Sequence, residues 1–256
     1  MIYIAIPSIT PRLENCARWA IARTTPEPHR VIVARGRSHG ENLDAAFAGL
    51  PEDAEYMMTM DDDAAPLRVG WLSWLMAKAD GKPWASFWRN ARRLPHPLGT
   101  LYRVSWLWSL PHATFRSTDD YDVGEYLAMN PGRGVFASPC DRSILPWWLA
   151  TCDVAADDEG RPIFAHLGGG SIGHTWYHRG RLYPRIPTWL WPVLVRRWIT
   201  RFASNGQSYC SRCGKVMYWY SGGFPVCVQC ETPEEARTWS ERMDHARELQ
   251  AQEEAR

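Results

Sequence analysis

The feature that most constrains this chain is the alternation of short apolar runs and helix-period segments over its first ninety residues. IYIAIPSI (2–9) is almost continuously apolar and ends around Pro7-Ser8, as expected of a strand buried on both faces. Residues 11–24 follow with Leu13, Ala17, Ala20 and Ile21 at helical spacing, and HRVIVARG (29–36) reads as a second strand. GENLDAAFAGL (40–50) reads as a second helix and EYMMTM (55–60) as a third strand. Such alternation implies a parallel sheet with right-handed crossovers. Ligands of these sheets bind beyond the carboxyl ends of the strands. That rule puts Pro7, Ser8, Arg35 with the turn behind it, and Asp61, Asp62 and Asp63 on one rim.

Three adjacent carboxylates repel one another, and an ordinary surface turn needs only one. They either ligate a hard divalent cation, which takes oxygen ligands and keeps phosphate oxygens in its shell, or form a solvated turn. Their place at the end of a buried strand favours the cation.

Downstream, 67–79 has helical periodicity and WASFWRN (84–90) reads as a fourth strand. Residues 91–131 mix proline, glycine and aromatics and predict loops, with short strands near 101–108 and 124–128. GRGVFASP (132–139) reads as a strand and SILPWWLA (143–150) as the start of a turn or helix. The Gly-rich, His-bearing stretch from 153 to 181 predicts a mobile region. Residues 187–203 read as a Trp- and Arg-rich helix broken near Pro192, and 232–256 as a charged helix capped by Thr232 with Glu235 three residues later.

CSRCG (210–214) and CVQCE (227–231) form a CxxC-x13-CxxC pattern. Four thiolates at this spacing, Cys210, Cys213, Cys227 and Cys230, suit one tetrahedral zinc, or an iron centre, in a closed structural site. Paired CxxC motifs without a secretory signal at the start favour metal in a reducing cytoplasm over disulfides. A net charge of +1 gives no global argument for a polyanionic partner, so any such contact must come from a local patch. RGRLYPR (179–185), Arg196, Arg197, Arg201, Arg212 and Lys215 supply one, interleaved with aromatics. The 15 tryptophans are an excess that fits either a core or stacking on sugars and bases.

The order AIPSI (5–9), VIVARG (31–36), GENLDAAF (40–47) and MTMDDDAAP (58–66) resembles glycosyltransferases of the GT-A fold, the family-two type in particular. GRGVFASPCDRSILPWW (132–148) is similar to that family's strand-then-Pro-Trp segment beside the acceptor, and GSIGHTW (170–176) to its late Gly-His. The resemblance covers about residues 1–180. It implies that Asp61 and Asp63 flank Mn2+ or Mg2+ and the diphosphate of a nucleoside diphosphate sugar, with Asp62 nearer the ribose or sugar. It makes His174 the late metal ligand, although His166 and His178 lie close in sequence, and gives Pro7, Ser8 and the turn at Arg35 contact with the nucleoside. The family's usual base position corresponds to CDVAADDEG (152–160), where Asp157 or Asp158 could serve; the same segment also reads as a polar hairpin turn.

The expected architecture is therefore α/β: a GT-A-like domain with a mostly parallel sheet and flanking helices (1–180), a basic Trp-rich connecting helix (181–206), and a zinc ribbon with a terminal helix (207–256). The expected function is metal-dependent transfer of a sugar to an acceptor hydroxyl, with a hydroxymethylated base in DNA, of the kind modified by phage-type enzymes, as an acceptor that would unite both parts. A lipid or glycan acceptor at a membrane surface, engaged by Trp189, Trp191 and Trp198, is a less favoured expectation. A non-enzymatic nucleic-acid-binding protein is the third.

Overall fold

The computed structural model describes residues 1–87, 95, 99–129, 134–137, 140–144, 151–167, 176–178, 181–183, 186, 188–203, 208–209 and 216–217. The alternating start folds as its pattern requires: β1 (Ile2–Pro7), α1 (Pro11–Thr24), β2 (His29–Ala34), α2 (His39–Ala48) and β3 (Tyr56–Met60). Pro11 begins α1, where its fixed φ suits a helix and its missing N–H costs nothing. A capping box starts α2: the Ser38 hydroxyl accepts from the Glu41 amide, and the Glu41 carboxylate accepts from the Ser38 amide.

After β3 come β4 (Ala64–Pro66), α3 (Trp71–Ala79), β5 (Trp84–Ser86), β6 (Gly99–Arg103), α4 (Val104–Ser109) and a 3-10 helix at Glu125–Met129. Next are β7 (Val135–Phe136), β8 (Cys140–Ile144), β9 (Thr151–Ala156) and β10 (Pro162–His166). The short hairpin of β11 (Trp176–His178) and β12 (Arg181–Tyr183) precedes α5 (Trp191–Ala203). Strands β13 (Ser208–Tyr209) and β14 (Val216–Met217) then pair antiparallel.

Two sheets organise the molecule. The larger has the order β2-β1-β3-β6-β5-β7 and is mostly parallel, with β6 running antiparallel to both of its neighbours. The smaller, β4-β10-β9-β8, is antiparallel throughout. Strand β1 feeds both faces of the larger sheet, as its unbroken apolar run predicts. Ile2, Ile4 and Ile6 face a core shared with α3 and with Phe164 of the smaller sheet, whereas Tyr3 and Ala5 face a core with Leu43 of α2 and Leu107 of α4. A third core joins α1 to α5 over the other face of the smaller sheet, through Leu13, Ala20, Val154, Ala165, Trp191, Val195 and Trp198.

Several expectations are corrected. The segment near 124–128 is a 3-10 helix and not a strand, held by the Gly124 and Glu125 amides on the Phe115 and Asp122 carbonyls. The helix expected over 67–79 begins at Trp71, because the Leu67 amide still donates to the Ile163 carbonyl of β10 and Gly70 takes a left-handed φ of 87° just before the helix. Residues 143–144, read as opening a turn or helix, close strand β8. Much of the stretch expected to be mobile is the β9–β10 hairpin, whose alternate residues are buried on both faces. Trp191 and Trp198 are 0% and 9% exposed, so α5 turns them into the core, and of these three Trp189, at 56%, faces solvent. The four ribbon cysteines, His174 and the 232–256 segment lie outside the described residues. Among those residues, no helix is long and apolar enough to cross a membrane.

Candidate metal centre at the rim

Asp61 and Asp63 leave the carboxyl end of β3, the strand beside β1 in the larger sheet, as the rim rule requires. The smaller sheet completes the place they point to. Strand β10 pairs with β4, which starts one residue after Asp63, and the Leu167 amide donates to the Asp63 carbonyl at 3.0 Å. This pairing carries His166, the last residue of β10, to the acids. Its Nε2 lies 3.0 Å from Asp63 Oδ1 and 3.7 Å from Asp61 Oδ2. One ligand atom from each of Asp61, Asp63 and His166 falls within 4.8 Å of the others, a donor set of two carboxylates and an imidazole that fits a divalent cation.

Two further groups stand behind these three. His39, the first residue of α2, places Nε2 3.0 Å from Asp61 Oδ1. Asp153 on β9 pairs in register with His166 and turns Oδ2 to within 3.8 Å of His166 Nδ1. Burial by itself would push the His166 imidazole down, but Asp63, Asp153 and Asp61 together hold it well above its ordinary value. His39 behaves alike: burial pulls it down, and Asp61 foremost raises it overall. The carboxylates demand positive charge at their centre, the demand that a divalent ion meets.

The middle acid does something else. Asp62 is buried, and its Oδ2 accepts from the Ile9 and Thr10 amides, both at 2.9 Å, where the chain turns from β1 into α1. Burial pushes its carboxyl up against the pull of those two amides. Asp62 thus ties the β3 end to the β1 end and belongs to the framework of the rim, not to the sugar side expected of it.

Pro7, Ser8 and Arg35 also meet at the rim. The Ser8 amide donates to the Ala34 carbonyl at 2.9 Å, and Arg35 follows directly. Arg35 donates through Nε (3.0 Å) and Nη2 to Glu14, which α1 buries to 1% exposure. Burial pushes Glu14 up, yet Arg35, Ser8 and Arg18 outweigh it and leave the carboxyl below its ordinary value.

The structure does not bring Asp157 or Asp158 to this centre. Both lie in the β9–β10 turn, where Asp157 accepts from the Glu159 and Arg161 amides and pairs with the Arg161 side chain at 2.6 Å. Asp158 pairs with Lys78 at 2.6 Å on the surface. Four residues of β10 separate that turn from His166, roughly 13 Å along an extended strand. Sequence reasoning had assigned no role to His39, Asp153 or Glu14. A histidine ending the otherwise apolar PIFAH run was the available signal for His166.

No family model matches the chain, and no curated protein matches it. Among solved structures it is similar to A197 from STIV, at 11% identity over 63% of this chain and 92% of that one, with a TM-score of 0.40. It is also similar to glucosyl-3-phosphoglycerate synthase from Mycobacterium tuberculosis, solved with Mn2+ and UDP-glucose, at 15% identity and a TM-score of 0.34. That likeness covers 44% of this chain and 60% of the synthase. With TM-scores under 0.5, neither likeness bears on activity.

Proposed function

We propose that this chain is a metal-dependent glycosyltransferase that moves a sugar from a nucleoside diphosphate sugar to an acceptor hydroxyl. The observation carrying this reading is the convergence of Asp61, Asp63 and His166 at the carboxyl end of β3, on the ligand rim of a mostly parallel sheet. These three residues would hold Mn2+ or Mg2+. A divalent ion there supplies charge neutralisation for a departing diphosphate. Pro7, Ser8 and Arg35 would line the nucleoside side, with Glu14 fixing the guanidinium. With Asp157 and Asp158 ion-paired at the hairpin turn, neither is given the proton-accepting role in this reading. The test is a transfer and hydrolysis screen of nucleoside diphosphate sugars with manganese and magnesium, read by mass spectrometry. Absence of turnover and of nucleotide binding in wild type, or unchanged binding in Asp61→Ala and Asp63→Ala, would sink it.

For the acceptor we propose a hydroxymethylated base in DNA. What supports a polyanion is the seam of α1 and α5, where Arg12 donates to the Trp189 carbonyl and Arg23 and Arg196 flank Trp19; all three are exposed, as are Arg18 and Arg197 on the same helices. Helix α5 has no acid, and Glu14, the single acid of α1, is buried. Trp19 lies between Arg23 and Arg196, at 5.8 and 5.4 Å from its ring. The membrane alternative loses two of its three tryptophan anchors, since Trp191 and Trp198 are core. Binding of a labelled modified duplex should weaken steeply with salt and drop in Arg23→Glu/Arg196→Glu. No binding at low salt would end the DNA reading and leave the metal reading standing. Cys210, Cys213, Cys227 and Cys230 would hold a structural zinc, which elemental analysis of the purified chain would detect at stoichiometric level.

A further inference from the structure

The donor set at the rim has an outer layer that the reaction itself does not call for. His39 reaches it from the first turn of α2, and Asp153 from β9, so four separate elements converge on three ligand atoms. We propose that His39 and Asp153 are positioning residues that fix which atoms of Asp61 and His166 face the cation; this rests on the metal reading above.

The geometry divides the atoms cleanly. Asp61 turns Oδ1 to within 3.0 Å of His39 Nε2 and Oδ2 toward His166, so one oxygen faces outward to His39 while the other faces inward. His166 turns Nδ1 to Asp153 and Nε2 to Asp61 and Asp63. Asp63 stands nearer to Nε2 than Asp153 does to Nδ1, at 3.0 against 3.8 Å; with Asp63 committed to a cation, Asp153 would be the carboxylate left beside the ring to keep the proton on Nδ1 and turn Nε2 to the metal. The two outer groups therefore do complementary work. His39 makes Asp61 a one-oxygen ligand, and Asp153 selects the nitrogen of His166. The side chains of His166 and Asp153 are 7% and 14% exposed, so water does not compete freely for either contact. Outer partners of this kind orient ligands that would otherwise rotate, and losing one weakens metal binding by about 10–100-fold.

His39 is the better site to vary, because it lies on a helix end already secured by the Ser38–Glu41 capping box. The probe is Mn2+ alone, titrated into the full chain by calorimetry and by electron paramagnetic resonance. Thiolates bind this hard ion poorly, so the cysteine pairs do not mask the site. His39→Leu should weaken Mn2+ binding by about 10–100-fold, whereas His39→Gln, which restores an N–H near the Nε2 position, should recover most of it. Asp153→Ala should weaken binding to a similar degree, and Asp153→Asn, which keeps an acceptor for Nδ1–H, less. Urea unfolding of each variant separates this from global damage: a structural role alone would lower stability and leave Leu and Gln alike in Mn2+ affinity. Wild-type affinity in both His39→Leu and Asp153→Ala overturns the inference while the metal reading survives. Failure of wild type to bind Mn2+ overturns both.

Discussion

The two halves of the rim cluster come from unlike backbones. Asp61 and Asp63 sit where a strand of the mostly parallel sheet ends, a place defined by the strand and helix immediately around it. His166 arrives on an antiparallel hairpin about a hundred residues later, and its position depends on β10 pairing with β4 and on Phe164 packing into the main core. Local pattern places the acids; docking places the histidine. The acid half can therefore be read along the chain, and the histidine half is only as well placed as the interface between the sheets.

The largest expected effect tests whether the halves serve one ion. Asp63→Ala and His166→Ala should each lower sugar transfer by on the order of 10³-fold, since a metal's stabilisation of developing charge is worth several kcal/mol. The double variant should be little worse than either single, measured as kcat/KM; multiplicative losses would mean that the halves act separately. Next comes the docking. Phe164 is fully buried and stacks on Phe87 at 4.7 Å, with Trp71 at 5.6 Å. Phe164→Ala should cost about 3–5 kcal/mol by urea unfolding. It should also weaken Mn2+ binding, because the hairpin carries His166.

Asp62→Ala removes the acceptor from two amides and should cost about 2 kcal/mol, while Mn2+ affinity stays within a few-fold of wild type. A loss of metal binding as large as that of Asp61→Ala would return Asp62 to the site. Glu14 gives a smaller, pH-dependent effect. Its folded value lies below the ordinary 4.5, so its ion pair stabilises the chain above that pH, and the stabilisation is lost as pH falls through the lower folded value. The gap in melting temperature between wild type and Glu14→Gln should be present at neutral pH and close below pH 4.5. The smallest effect is expected at the hairpin tip. Asp158→Ala removes a surface pair with Lys78 whose side chains are 64% and 33% exposed, and should change stability by less than about 1 kcal/mol and leave transfer unchanged.

The same contrast explains what was legible in the sequence. Helix α1 has the expected limits because Pro11 marks its start and Leu13, Ala17, Ala20 and Ile21 keep one face apolar. β1 and β3 were readable because strands buried on both faces form short, dense apolar runs, and the half-buried edge strand β2 because Val31, Ile32 and Val33 keep a β-branched run. The β9–β10 hairpin was legible only at its tip: Asp157 to Gly160 reads as a polar turn, but that chemistry is the same whether or not the flanking residues pair. Short-range pattern could not distinguish His166 from its neighbours, since nothing near it in sequence records that β10 lies against β4. His39 was hidden for a related reason: the capping box announces a helix start but says nothing about what the first residue faces. The tryptophans of α5 were ambiguous because a buried aromatic stripe and a membrane-facing one share the same spacing; only α1 packed against them decides it.

The Asp62 contact has a consequence for how this rim tolerates change in length. Three identical side chains in a row hold two jobs: the outer pair faces the cation centre, and the middle one grips the Ile9 and Thr10 amides. Because the residues are chemically the same, a one-residue insertion or deletion nearby would still offer a carboxylate at two of the three places, but from the wrong link of the chain, and would leave one ligand place to an apolar neighbour. The anchor would become a ligand and a ligand the anchor. A point substitution at any of the three removes one function, whereas a shift of frame exchanges two roles and vacates one ligand place, so lengthening the loop is the sterner probe of how firmly β1 and β3 hold their spacing.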